Sequence, residues 1–266
     1  MKITGLYFSG TGNTAWVAEK LKSSLIAKDH DVNMFSIEEI EAAELIDEFK
    51  KSDIIGFLYP GYGCDMPKVY DEYLSKLEGI NLKINTRAFS IMTAAMYIAD
   101  GAIITKPLCE RIGAELVWGN VIIMPCNFDT PVPLFKIPNN DKIAKMKKRA
   151  LIKIEKIVQR IEKNEKHYDG GDLFNVVTGK MHRGGWRGAM DKYGIHINES
   201  ICTSCGICVR LCPANNLHIA EKGQPVKTNN NCSVCLRCIN NCPNDAIRMF
   251  STKTKSKYRQ YKGPGE

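Results

Sequence analysis

Short apolar runs alternate with helical stripes through the first 165 residues of the chain. Lys2–Phe8 (KITGLYF) is β-branched and aromatic and stops at Ser9-Gly10, which predicts a buried strand. Ala15–Ala27 carries Trp16, Val17, Leu21, Leu25 and Ile26 on one helical stripe. The same alternation predicts strands at Asp31–Ser36, Asp53–Leu58, Arg87–Met92 and Glu115–Met124, the last with a break at Gly119–Asn120. Between them fall helices at Ile40–Phe49, Lys68–Leu77 and Lys106–Gly113, the last stopped by its glycine. A long amphipathic helix over Asp141–Glu165 follows, with Ile143, Met146, Ala150, Ile154, Ile157, Val158 and Ile161 on one stripe. Such alternation means an α/β unit: a parallel sheet covered on both faces, doubly wound, with five strands in the order 2-1-3-4-5. Ligands of such a sheet sit beyond the carboxyl ends of strands one, three and four.

The pattern breaks at Lys166. Residues 166–192 are rich in glycine and basic side chains and read as an interdomain linker, with Met181, Trp186 and Met190 placed to pack the two domains together. His167 and His182 read as surface residues. The chain then turns cysteine-rich, and residues 251–266 read as a basic C-terminal tail. The stretch Pro125–Asn140, with Phe128 and Phe135, is long enough to roof a pocket or to be a proline-stiffened surface loop.

Composition narrows the class. The chain has 266 residues, 44% of them apolar, which suits one domain of ordinary size and a small one. No stretch reaches the length of a membrane span, and Met1–Phe8 is too short for a signal peptide, so a cytoplasmic protein is expected. Net charge is +8 and uneven: residues 141–166 hold ten Lys/Arg against four Asp/Glu, and 248–266 hold six against one. This suits a docking surface for an acidic redox partner. No nucleic-acid reader motif accompanies it.

Eight of the 11 cysteines carry the most specific signal. Cys202, Cys205, Cys208 and Cys212–Pro213, then Cys232, Cys235, Cys238 and Cys242–Pro243, each spell C-x2-C-x2-C-x3-C-P, thirty positions apart. This run resembles the bacterial two-cluster ferredoxin pattern, in which the fourth cysteine of each run ligates the other cluster. The resemblance implies one [4Fe–4S] cluster on Cys202, Cys205, Cys208 and Cys242, and a second on Cys232, Cys235, Cys238 and Cys212. It also implies a second, small α+β domain over 193–250, with strands at Tyr193–Ile197, Leu217–Ile219, Val226–Thr228 and Ala246–Phe250. Structural zinc uses two C-x2-C pairs rather than two triplets with a trailing C-P. Cys64, Cys109 and Cys126 remain, and read as buried packing residues. Clusters of this kind suit an anaerobic cell.

The first strand runs into Ser9-Gly10-Thr11-Gly12-Asn13-Thr14, and a helix begins at once. A helix N-terminus with glycines before it is a ready phosphate site. The loop contains no lysine, so it is not a P-loop. Gly10-x-Gly12-x-x-Ala15 also fits the dinucleotide fingerprint, which expects an acidic residue about 20 positions on. Here Glu38 and Glu39 come late. The hydroxyl-rich loop is similar to the flavodoxin phosphate loop, a resemblance that covers residues 1–165. It implies FMN, with the phosphate on Ser9 to Thr14 and the ring between Pro60-Gly61-Tyr62-Gly63 and Thr93–Tyr97, Tyr62 stacking. Gly61 and Gly63 permit the peptide flip that such loops make.

The whole chain thus resembles flavodoxin–ferredoxin fusion proteins: a flavodoxin-like sheet joined to a ferredoxin. The resemblance implies electron transfer between two [4Fe–4S] clusters and FMN, with redox proteins such as a ferredoxin or a reductase as partners. An FMN-dependent reductase of a small-molecule acceptor is the alternative. With the first loop given to FMN, no nicotinamide site is visible, and slow or absent NADH oxidation is expected.

Overall fold

The computed structural model describes residues 1–96, 98–128, 136–189, 195–219, 225–227, 231–249 and 263–265. The first part of the chain runs β1 (Lys2–Tyr7), α1 (Asn13–Ile26), β2 (Asp31–Ser36), α2 (Ala42–Lys51), β3 (Ile54–Pro60), α3 (Lys68–Ser75) and β4 (Arg87–Ala94). A 3-10 turn (Gly101–Ile103), α4 (Lys106–Arg111), β5 (Glu115–Ile123), α5 (Asn140–Lys163), β6 (His167–Tyr168) and α6 (Leu173–Ala189) follow. Strand order is β2-β1-β3-β4-β5-β6, every pair parallel. α1 and α5 cover one face around Val17, Leu21, Trp118, Ile154 and Ile157. α2, α3 and α4 cover the other around Leu45, Phe49, Tyr70, Leu74 and Leu108. All seven residues of β3 are buried, as a central strand covered on both faces requires.

Two details depart from expectation. The sheet has a sixth strand, β6, drawn from the segment read as linker. Two residues carry no apolar run to betray it. Side chains dock it instead: Trp118 Nε1 donates to Glu165 O (2.9 Å), Tyr168 hydrogen-bonds Leu116 O, and Asp169 accepts from Val121 N and Lys153 Nζ, both at 2.8 Å. β5 is not broken at Gly119–Asn120. The register slips earlier, between Ala88 and Phe89, and Gly119 is small because a Cβ there would fall 2.6 Å from Ile103 Cγ2.

The C-terminal part comprises β7 (Ile195–Ile197), α7 (Ile207–Arg210), β8 (Leu217–Ile219), β9 (Pro225–Lys227), α8 (Arg237–Asn240) and β10 (Ile247–Met249). β7 pairs antiparallel with β10, and β8 with β9. The expected outer residues Tyr193, Thr228 and Phe250 lie outside the described residues. The two halves repeat in backbone as well as in sequence. Ser204, Gly206 and Asn215 have φ of 54°, 70° and 47°; thirty residues on, Val234, Leu236 and Asp245 have 50°, 62° and 52°. A left-handed conformation costs a non-glycine residue about 1–2 kcal/mol. Both halves bear that cost at the loops that curl around their cysteines.

The connection between the two parts is structured. α6 escaped the sequence pattern because Gly179, Gly184 and Gly185 argue against a helix and its inward face is polar. Trp186 packs on the core of the C-terminal part, as expected, whereas Met181 is 72% exposed. Met190 lies outside the described residues.

Candidate functional site

β1 has β2 on one side and β3 on the other, so the chain's winding reverses there and a crevice opens beyond the strand ends. A cavity of about 630 Å³ occupies it, within the range of cofactor and ligand sites. Its floor is the loop after β1: Ser9, Gly10, Thr11, Asn13 and Thr14 line it. Gly12, the remaining residue of that loop, stands outside the lining. It sits at φ 96° as the N-cap of α1, and no side chain caps the helix. The first-turn N–H groups of this 14-residue helix therefore have no capping side chain at the cavity floor.

Side chains hold the loop open. Ser9 Oγ accepts from Gly12 N at 3.1 Å, Asn13 Nδ2 donates to Pro125 O at 2.9 Å, and Asn127 Nδ2 donates to Thr11 Oγ1 at 2.9 Å. The Thr14 and Thr93 hydroxyls meet at 2.8 Å, tying this loop to the end of β4. Residues 263–265 of the tail pack against the loop's outer side. A Cβ on Gly12 would lie 3.5 Å from Gly263 Cα, and Lys147 Nζ reaches Gly265 O at 3.4 Å. Neutral donors and an uncapped helix suit a phosphate monoester.

The loops after β3 and β4 form the next walls. Pro60, Gly61, Tyr62, Gly63 and Thr93 line the cavity as expected; Tyr97 lies outside the described residues. Burial pushes the Tyr62 phenol well above its ordinary value and also raises the Cys64 thiol, against the pull of Arg183. Cys64, Cys109 and Cys126 are all buried, in keeping with packing roles. Asn127 and Phe128 close one side, while 129–135, including Phe135, lie outside the described residues. Sequence reasoning missed His182, Val234, Leu236 and Met249, which also face the cavity.

The eight cysteines of the C-terminal part divide into the two groups that the ferredoxin resemblance implies. Cys202, Cys205, Cys208 and Cys242 surround one small cavity; Cys212, Cys232, Cys235 and Cys238 surround another. Among the described residues, no three histidine, cysteine, aspartate or glutamate side chains close on one point as a single ion needs. Four soft sulfurs around a cavity suit a cluster with volume of its own. Burial pushes the Cys235 thiol up to about 12, so a thiolate there needs the charge of bound metal.

The second cysteine group abuts the phosphate-type loop. A Cβ on Gly10 would fall 2.5 Å from Cys235 O and 3.1 Å from Cys235 Cβ. Arg237, first residue of α8, clamps the junction. Its guanidinium donates to both Glu38 carboxylate oxygens at 2.7 Å, to Ser9 O at 2.8 Å and to Gly10 O at 3.2 Å. Glu38 is thus engaged by a cation from the other domain, which removes the acidic residue that a dinucleotide site would use. Ser233 Oγ accepts from Val69 N at 3.0 Å beside it. Gly10→Ala is expected to push the two parts apart, at about 1–3 kcal/mol of overpacking. Hydrogen exchange should then accelerate at residues 9–12 and 233–237 but not in β3.

Residues 194–256 match the family model described as a 4Fe-4S dicluster domain. Comparison with curated proteins gives no match. Among solved structures, a flavodoxin of Streptococcus pneumoniae aligns at TM-score 0.44 and 15% identity, covering 62% of this chain and 99% of its own. Oxidised Flavodoxin 2 from Bacillus cereus aligns at TM-score 0.41 and 25% identity, covering 59% and 99%. Rubredoxin oxygen:oxidoreductase from Desulfovibrio gigas aligns at TM-score 0.42 and 11% identity, covering 59% of this chain and 36% of its own. Sheet order and the dicluster match together define the class: a flavodoxin-like α/β domain followed by an iron–sulfur dicluster domain.

Proposed function

We propose that this protein relays electrons between two [4Fe–4S] clusters and FMN, joining one-electron to two-electron partners. One observation carries the proposal: the loop around Cys235 and the loop Ser9–Thr14 touch, and both border the same cavity. FMN would rest its phosphate on Ser9 to Thr14 and its ring between the loops after β3 and β4. The cysteine groups would hold the clusters, Cys212, Cys232, Cys235 and Cys238 nearer the flavin, Cys202, Cys205, Cys208 and Cys242 farther from it. Bound, the clusters supply single electrons and the flavin stores one or two. The protein's own residues set the approach. Val234 and Leu236 form an apolar partition between the second cysteine group and the cavity, while Arg237 fixes its position.

Cys205 is exposed at the far group, its carbonyl accepting from Arg210 at 3.3 Å, and forms the port for an outside carrier. Lysines on the exposed side of α5 favour an acidic carrier protein. Such clusters suit the cytoplasm of a cell short of oxygen. Among the described residues, no helix is long and apolar enough to cross a membrane.

The test is anaerobic purification with flavin, iron and sulfide counted per chain, then reduction by an acidic ferredoxin. Full pigment content and cluster-dependent flavin bleaching support the relay. A chain that lacks flavin, or one that oxidises NADH rapidly as sole donor, overturns it. The second reading, a small-molecule reductase, is favoured by the roofing of the cavity by Phe128 and Trp186. It requires reoxidation of the reduced protein by a quinone or nitroaromatic at a saturable rate.

A further inference from the structure

α6 turns an unusual face inward. Gly179, His182, Arg183, Trp186 and Arg187 recur at helical spacing, and each touches the sheet domain or the cavity. Gly179 leaves no room for a Cβ beside Asp100. Arg183 grips both carboxylate oxygens of Asp100, one at 2.9 Å, and donates to Cys64 O at 3.2 Å. One turn on, Arg187 Nε donates to Asp65 Oδ2 at 2.6 Å. Both aspartates are buried, at 4% and 5% exposure. Between these two pairs stands Trp186. Its indole lies on Gly63, where a Cβ would fall 2.7 Å from Trp186 Cβ, and it packs on the dicluster core while lining the cavity.

Two further observations give the tryptophan a purpose. Tyr62 directs its hydroxyl to Gly10, 2.9 Å from where a Cβ there would stand, so its polar end is committed to the floor. A flat heteroaromatic ring needs a broad apolar face, and the indole is the largest one on the cavity wall. Two ion pairs hold the helix that carries it, one largely buried (Arg183–Asp100) and one from an exposed arginine to a buried aspartate (Arg187–Asp65), and they fix orientation because breaking one strands a buried carboxylate.

We propose that α6 is a fourth wall of the flavin site: Trp186 is the residue that lies against the ring, and the Arg183–Asp100 and Arg187–Asp65 pairs are the latch that positions it. This rests on the flavin reading above, and the test separates the two. Full-length, cluster-loaded, flavin-free protein is titrated anaerobically with FMN, following flavin fluorescence. Failure of the unaltered protein to bind FMN overturns the flavin reading itself. With binding established, Trp186→Ala should weaken FMN by about tenfold, from lost aromatic contact and area. At saturation it should leave the bound flavin brighter, because the quenching indole is gone. Trp186→Phe should restore most of the affinity. Arg187→Gln, whose amide keeps a neutral donor for the buried Asp65, should weaken FMN about threefold without changing iron content. FMN bound by Trp186→Ala with unaltered affinity and brightness overturns the wall. Arg187→Gln with unaltered affinity overturns the latch, whether or not the alanine variant folds.

Discussion

Cys235→Ala is expected to remove one cluster and spare the other. Its sulfur belongs to the group of Cys212, Cys232 and Cys238, and the group of Cys202, Cys205, Cys208 and Cys242 shares none of these ligands. Iron per chain should fall from about eight to about four. The dicluster domain has a small core, so the loss also costs stability. The phosphate-type loop is untouched in sequence, and FMN should still bind. Reduction of that flavin by an outside one-electron carrier should fall to the rate of direct collision, because the remaining group lies on the far side of the partition formed by Val234 and Leu236. Iron counted on purified protein and stopped-flow bleaching of the flavin check both halves. Flavin bleaching at the unaltered rate would falsify the order of centres proposed above.

Arg237→Met should have the next largest effect. The guanidinium side chain is only 17% exposed, and it satisfies Glu38 and the carbonyls of Ser9 and Gly10 together. Methionine keeps an apolar stem over Phe8, whose ring lies 5.8 Å from the guanidinium carbon. It leaves the carboxylate and both carbonyls without their donor. Loss of a charged hydrogen-bond group costs about 2–3 kcal/mol, discounted toward the lower figure because Glu38 is 36% exposed. The unfolding midpoint should fall by about 4–10 °C. Arg237→Lys should recover less than half, since an ammonium cannot make the bidentate pair. Charge adds a second readout. A cation beside a centre stabilises its reduced, more negative form, so removing Arg237 should lower the reduction potential of the cluster on Cys235. An anaerobic redox titration that finds the potential unmoved or raised would refute the electrostatic role.

Much of this was legible along the chain because it follows from local rules. Alternating apolar runs placed all five principal strands, and the edge strand Asp31–Ser36 matched residue for residue; a central strand such as β3, buried on both faces, cannot hide its composition. The thirty-residue repeat of C-x2-C-x2-C-x3-C-P foretold both cysteine groups, including the exchange of Cys212 and Cys242. That exchange came from the resemblance to two-cluster ferredoxins. Ser9-Gly10-Thr11-Gly12-Asn13-Thr14 stood out by lying between a strand and a helix, and most of it lines the cavity.

Other features needed the folded molecule. β6 is two residues long and is held by Tyr168 and Asp169 rather than by any run of its own. α6 presents arginines, a histidine and a tryptophan inward, so a search for apolar periodicity sees a linker. Its partners Asp65 and Asp100 are more than 80 positions away. Glu38 looked like a late candidate for a ribose contact until Arg237, 199 residues on, proved to hold it. By itself the sequence determined the two domains, their order and the chemistry each can bear, since periodicity and ligand spacing act over a few residues. Only the tertiary structure decided that the second cysteine group, not the first, meets the glycine loop, because that choice rests on close packing of Gly10 against Cys235 across the whole length of the chain.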